Sequence, residues 1–321
     1  MGRLSSSAAD LLMCASMNLV QARHRLHRGS RDEMETYVNA HERMTPQAYY
    51  AIPEGEEEPA TPFDTAPRGV VTWRSPIRTR FPRNDIARAD LYPCAQGWPA
   101  PTVIMLHALM SANDIGYRRW AARFNEQGWN ACFLHLPFHY SRVPRGHWNG
   151  ELAITADLIR NAEGVRQGVI EVRQLLAALR KQGGTDFGLL ATSYGGWIGA
   201  LVASVEKDLR FVALMAPIVD VHHALWESGA AMSMRFHLRR AGVEPGVVSP
   251  HYRLSSPSHT NAMDPARVVF ASGDFDLIAR PKDIETLHQK WSGSRLLRIP
   301  QGHFGYRMMR DTFANLQTWA L

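Results

Sequence analysis

Cysteine is scarce in this chain of 321 residues, with only Cys14, Cys94 and Cys132, widely spaced and without a C-x-x-C. So sparse and odd a set argues against a disulfide scaffold and against a zinc site. No Asn-x-Ser/Thr acceptor occurs. No apolar run approaches the roughly 18 residues of a membrane span, so stable membrane insertion is not expected. Walker A, G-x-G-x-x-G and H-E-x-x-H motifs are all missing, and nothing in the sequence calls for a cofactor or a metal. Charge of one sign is also modest: 36 Lys and Arg against 30 Asp and Glu give a formal net charge of +6. The basic residues are spread along the chain, and their densest cluster is "RHRLHRGSR", residues 23–31. It reads as a solvated helix face rather than a nucleic-acid arm, so no nucleic-acid partner is expected. The stretch "AADLLMCASMNLV", residues 8–20, is apolar enough to suggest a signal peptide. However, Asp10 leads into it, only Arg3 is basic ahead of it, and the cleavage pattern is unconvincing. A cytoplasmic location is the expectation. "MGRLSS" fits the N-myristoylation pattern formally, a match short enough to arise by chance.

The rest is ordinary globular composition, 45% hydrophobic and 21% charged, of a length for one large or two small domains. Residues 1–50 read as helical, and "EGEEEPATPFDTAP", residues 54–67, as an acidic, Pro-rich connector. Residues 1–68 are therefore set apart as an N-terminal helical extension, which docks on the following domain or forms a homo-oligomeric contact. From residue 69 the rhythm changes. Strands are expected at 69–77, 87–93, 102–108, 129–137, 186–192, 210–217, 266–274 and 294–300. Helices are expected at 113–128, 155–182, 281–291 and from Tyr306 onward. Short, continuously apolar strands alternating with helices indicate an α/β fold, a mainly parallel sheet with helices on both faces. In such sheets, active sites form at the carboxyl ends of the strands. Residues 218–265 interrupt the pattern with a segment far longer than the two to six residues typical of such loops. Helices of its own and a place over the strand ends follow. Its Trp226, Met232, Met234 and Phe236 are expected to pack as a lid over the cleft or as a small core. His222 and His223 are improbable metal ligands, because adjacent residues point apart on a helix or a strand.

In "DFGLLATSYGGWIGALVAS", residues 186–204, a buried strand must turn into a buried helix within about four residues, with Ser193 at the apex. Strand and helix backbones approach closely there, so the turn needs small neighbours, which Ala191, Gly195 and Gly196 supply. The pentapeptide is similar to the nucleophile elbow G-x-S-x-G of the α/β-hydrolases, with Ala in the first position. A serine hydroxyl needs a base within hydrogen-bond reach and a group orienting that base. The resemblance implies the chain order Ser, acid, His. It places the acid in "ASGDFDLIARP", where Asp276 stands three residues after Gly273, with Asp274 as the less favoured alternative. It places the base at His303 in "IPQGHFGY", after the last strand. On these residues, 69–321 is identified as an α/β-hydrolase domain carrying a lid-like insertion at about 218–265.

The resemblance also implies an oxyanion hole made of backbone N–H groups. One is that of Tyr194, directly after the serine. The second is that of Leu109 in "MLHALMS", with Ala108 as fallback. His107 is read as structural. The implied activity is a serine esterase acting on a small-molecule ester or other acyl substrate through an acyl-enzyme. Acyl transfer and thioester or peptide cleavage are alternatives on the same scaffold, and a non-catalytic binding protein is the alternative of another class. "LPFHYSRVPRGHW", residues 136–148, with His135 just before it, is expected to be a solvated loop rather than a substrate contact.

Overall fold

The computed structural model describes residues 2–23, 30–55 and 69–321. The centre of the basic cluster (24–29) and most of the acidic connector (56–67) lie outside the described residues.

Three helices come first: α1 (Arg3–Ala22), α2 (Arg31–His41) and the short α3 (Pro46–Tyr49). β1 (Gly69–Arg74) and β2 (Ile86–Tyr92) form an antiparallel pair. β3 (Thr102–Leu106), α4 (Ile115–Glu126), β4 (Asn130–His135), α5 (Leu158–Lys181), β5 (Phe187–Thr192), α6 (Tyr194–Ala203) and β6 (Leu209–Met215) then alternate. The segment after β6 holds α7 (Met232–Arg240) and the short turns α8 (Pro245–Val248) and α9 (Tyr252–Ser255). β7 (Val268–Gly273), α10 (Pro281–Lys290), β8 (Arg295–Ile299) and α11 (Arg307–Leu316) complete the described chain.

The eight strands form one sheet in the order β1-β2-β4-β3-β5-β6-β7-β8. β2 meets β4 antiparallel, and every later pairing is parallel. Helices cover both faces, so a central strand must be apolar on both sides. β3 (TVIML) and β4 (NACFLH) are accordingly buried at every position. β1 is an edge strand and alternates, with Val71 and Trp73 turned inward.

The chain runs outward from β3 to β4 and then returns to the other side of β3 as β5. The connections after β3 and β5 therefore diverge and leave a crevice at their carboxyl ends. Ser193 stands at that point. The segment between β6 and β7 packs above it with a core of its own: Leu225, Met234, Leu238, Val248 and Tyr252, joined by Met34 and Val38 of α2. Two expected members stay out of that core, since Met232 and Phe236 are 56% and 57% exposed. They stand on the outer face of α7, while Met234 and Leu238 take the inner one.

Candidate active site

Ser193 adopts φ 53°, ψ −111°, a conformation that costs energy for a residue with a side chain. The surroundings hold it there. Its N–H donates to the Met215 carbonyl at 2.8 Å, and its carbonyl accepts from Trp197 at 2.9 Å. The small residues around it have separate reasons. A Cβ on Gly195 would stand 2.6 Å from the His107 carbonyl oxygen, and one on Gly196 2.9 Å from Pro217 Cα. The alanine at the first elbow position is accommodated across the turn. A Cβ on Gly199 of α6 would lie 2.8 Å from the Ala191 Cβ, so the glycine that this close approach needs stands on the helix.

The structure brings the three side chains of the expected Ser–His–acid set together. Ser193 Oγ lies 2.8 Å from His303 Nε2, and His303 Nδ1 lies 2.8 Å from Asp276 Oδ2. Asp276 Oδ1 accepts from the N–H groups of Ile278 and Ala279, both at 2.8 Å, which fixes the carboxylate in its turn. Asp274 points elsewhere and pairs with Arg298 at 2.8 Å. Burial pushes the His303 imidazole down, but the charge and hydrogen bond of Asp276, aided by the Asp10 charge, leave it above its ordinary value.

Facing the serine is the turn after β3. Its Ala108 N–H donates to Tyr117 Oη at 3.3 Å and its Met110 N–H to His139 Nε2 at 3.2 Å, with Leu109 between them. His107 is fully buried; its Nδ1–H donates to the Ala108 carbonyl and its Nε2 accepts from Leu136 N–H. It ties the turn after β3 to the turn after β4.

The segment 136–148 is not the solvated loop expected from its histidines and arginines. Leu136, Phe138, His139 and Arg142 are buried. Arg142 turns inward because Glu171 of α5 waits there, bound at 2.5 and 2.8 Å by the two terminal guanidinium nitrogens. His139 stacks on Tyr194, with ring centroids 5.7 Å apart. Burial lowers the His139 imidazole to about 4, and its Nδ1–H donates to the Pro137 carbonyl. It is therefore neutral, with Nε2 free to accept from Met110. Sequence reasoning missed this residue, which buttresses both the turn after β3 and the ring of Tyr194. No sequence motif marks it; the structure shows a tightly folded loop, in which Phe138 and Tyr140 on either side both adopt positive φ.

The crevice opens into a cavity of about 170 Å³ beside Ser193 and His303. Its walls come from many parts of the chain, α5 and α6 among them. Met13 and Met17 belong to α1, Met34 to α2, Leu109 and Met110 to the turn after β3, and Ile218, Val221, Leu225 and Met234 to the segment after β6. Among the described residues, no Asp, Glu, Lys or Arg lines it. Burial pushes the lining His251 down to about 3, so it too is neutral. His222 and His223 lie apart from this cavity; His223 pairs with Asp283 at 2.9 Å.

No protein-family model matches the chain. Two uncharacterized proteins of Mycobacterium tuberculosis are each 28% identical to it over 223 residues, covering 66% of this chain and 52% of theirs. The chain thus spans about half the length of the curated relatives it matches. Among solved structures it is similar to an acetyl xylan esterase from a Paenibacillus species, with TM-score 0.62, 10% identity, and coverage of 94% of this chain and 98% of that one. It is also similar to acetyl xylan esterase 1 from a Thermoanaerobacterium species, at TM-score 0.59, 13% identity, and coverage of 91% and 96%. An alpha/beta hydrolase from a Penicillium species matches at TM-score 0.51 and 16% identity, over 79% of this chain and 99% of that one. Such likenesses speak for the fold.

Proposed function

We propose that this chain, which has the α/β-hydrolase fold, is a serine hydrolase that cleaves a carboxylic ester through an acyl-enzyme on Ser193. The observation that carries the reading is the unbroken hydrogen-bonded series Ser193–His303–Asp276 opening onto an uncharged apolar cavity. With Nδ1–H held by Asp276, the lone pair of His303 Nε2 faces Ser193 Oγ and can take its proton as the oxygen attacks the ester carbonyl. The backbone N–H of Tyr194, at the first turn of α6 where helix amides lack intrahelical partners, receives the developing oxyanion with that of Leu109. His303 returns the proton to the departing alcohol as the ester C–O bond breaks. Water then attacks the acyl carbonyl, gives a proton to His303 Nε2 and forms the acid. Cleavage of the acyl–Oγ bond returns that proton to Ser193. Asp276 keeps the imidazole in the useful tautomer and stabilises its cation.

The cavity narrows the substrate class. A charged group buried there would find no counter-charge and would lose its hydration. The five methionines Met13, Met17, Met34, Met110 and Met234 offer flexible, polarizable walls. Esters with an uncharged, apolar acyl part fit this lining. The segment 218–265 serves as the lid that closes over them.

A p-nitrophenyl ester series of increasing acyl length, assayed with wild type and Ser193→Ala, tests the reading. Turnover of uncharged esters, reduced at least about a thousandfold by Ser193→Ala, is expected. Thioester and anilide substrates, and an added alcohol acceptor, distinguish the related acyl-transfer chemistries. Turnover that is absent, or that survives Ser193→Ala, refutes it.

A further inference from the structure

Helix α1 is docked the wrong way round for ordinary hydrophobic burial. Leu4, Leu11, Leu12 and Leu19 are 88%, 61%, 68% and 74% exposed. The face turned to the protein carries Ser6, Asp10, Cys14, Asn18 and Gln21, all buried. Burying polar groups is unfavourable unless they are satisfied, so specific bonds made by this face join the apolar contacts of Met13, Cys14 and Met17 with Ile218, Ala230 and Ile278 in holding the helix. Asn18 supplies some: its Nδ2 donates to the Gly229 carbonyl and its Oδ1 accepts from Ser233 N–H, both at 2.8 Å. Asp10 supplies the others, and they end at the active site. Its carboxylate accepts from His303 N–H at 3.1 Å and from Leu277 N–H at 3.0 Å. Leu277 directly follows Asp276. One carboxylate therefore clamps the backbone of the loop bearing the base to that of the loop bearing the acid.

Gly302 makes this approach feasible. A Cβ there would lie 2.9 Å from Ser6 Cβ and 3.1 Å from both Asp10 oxygens. We propose that Asp10 is a positioning residue for His303, so that α1 completes the catalytic apparatus from outside the sheet. The proposal rests on the reading of His303 as the general base.

Around the His303 ring stand Asp276 from the turn after β7, Asp10 from α1 and the Ser193 hydroxyl from the elbow. Around Asp10 stand His303, Asp276 and the thiol of Cys14, one helical turn along. Burial raises the Asp10 carboxyl, while its two backbone donors and His303 favour the anion. As an anion it adds to the pull of Asp276 on the imidazolium.

Asp10→Asn tests the proposal in the full chain. An asparagine sets an NH2 donor where one carboxylate oxygen accepts from a backbone N–H, and it carries no charge. A kcat lower by about ten- to a hundredfold with KM little changed is expected, because Asp10 does not line the cavity. The second readout is the titration of His303, followed by NMR of 13C-labelled histidine and assigned with His303→Gln. Its midpoint should fall in Asp10→Asn and be retained in Asp10→Glu. If asparagine is not accommodated, Asp10→Ser, smaller and still an acceptor, is read in the same two ways. A folded variant with unchanged kcat and an unchanged His303 titration overturns the proposal. So does unfolding by every substitution, which would make Asp10 a holder of the fold alone. The titration needs no turnover, so a wild type inert toward esters would defeat the hydrolase reading without hiding the coupling of Asp10 to His303.

Discussion

Replacing Arg142 by methionine should be among the most damaging single changes outside the immediate site. Arg142 and Glu171 are both wholly buried. The guanidinium also donates to the Asn84 carbonyl at 2.9 and 2.6 Å and to the His135 carbonyl at 3.0 Å. Arg142→Met therefore leaves a bare carboxylate and two orphaned carbonyls in the interior. Breaking a buried pair from one side costs about 3–5 kcal/mol, a large share of the 5–15 kcal/mol that typically separates folded from unfolded protein. Removing both charges at once is different. In Arg142→Met/Glu171→Leu no buried charge remains, and only the two carbonyls are unpaired, at about 1–3 kcal/mol each. Desolvation and attraction nearly cancel in the intact pair, so the double variant should be no less stable than Arg142→Met alone. Urea denaturation of the four proteins, with m-values compared for constancy, gives the coupling directly. Strictly additive losses, or a cost for Arg142→Met below about 1 kcal/mol, would refute this account of the segment 136–148.

Three further outcomes follow from the same geometry. Protonated His303 cannot accept the Ser193 proton, so kcat/KM should fall as pH drops through its pKa. Since that pKa is raised, the half-point should lie above the ordinary histidine value of about 6.5, and a pH profile placing it lower would contradict the assignment. Gly199→Ala should destabilise by about 1–3 kcal/mol through the 2.8 Å encounter with Ala191 Cβ; Ala191→Gly should rescue it, as thermal denaturation of single and double variants would reveal. Met17→Trp narrows the cavity from the α1 side and should lower kcat/KM for the longest accepted acyl ester by about tenfold relative to the shortest, whereas an unchanged length profile would place the acyl chain elsewhere.

The strands were legible because a parallel strand buried on both faces must be apolar along its middle, as β3, β4 and β5 are. The Ser193 turn was legible from its small neighbours, and Asp276 and His303 from the resemblance to the α/β-hydrolase order, in which each follows a strand end. What escaped the sequence escaped for specific reasons. The leucines of α1 face outward. Its inward face is specified by Asp10, whose partner His303 lies 293 residues away. Arg142 in 136–148 looked solvated because its partner carboxylate, Glu171, sits on a helix that a one-dimensional pattern cannot bring alongside.

Ester cleavage through an acyl-enzyme requires an activated serine. Reaction of the folded protein with a fluorophosphonate probe, read by intact mass, should add one phosphonyl group to wild type and none to Ser193→Ala. Folded wild type that stays unmodified, or Ser193→Ala that is modified equally, would contradict it.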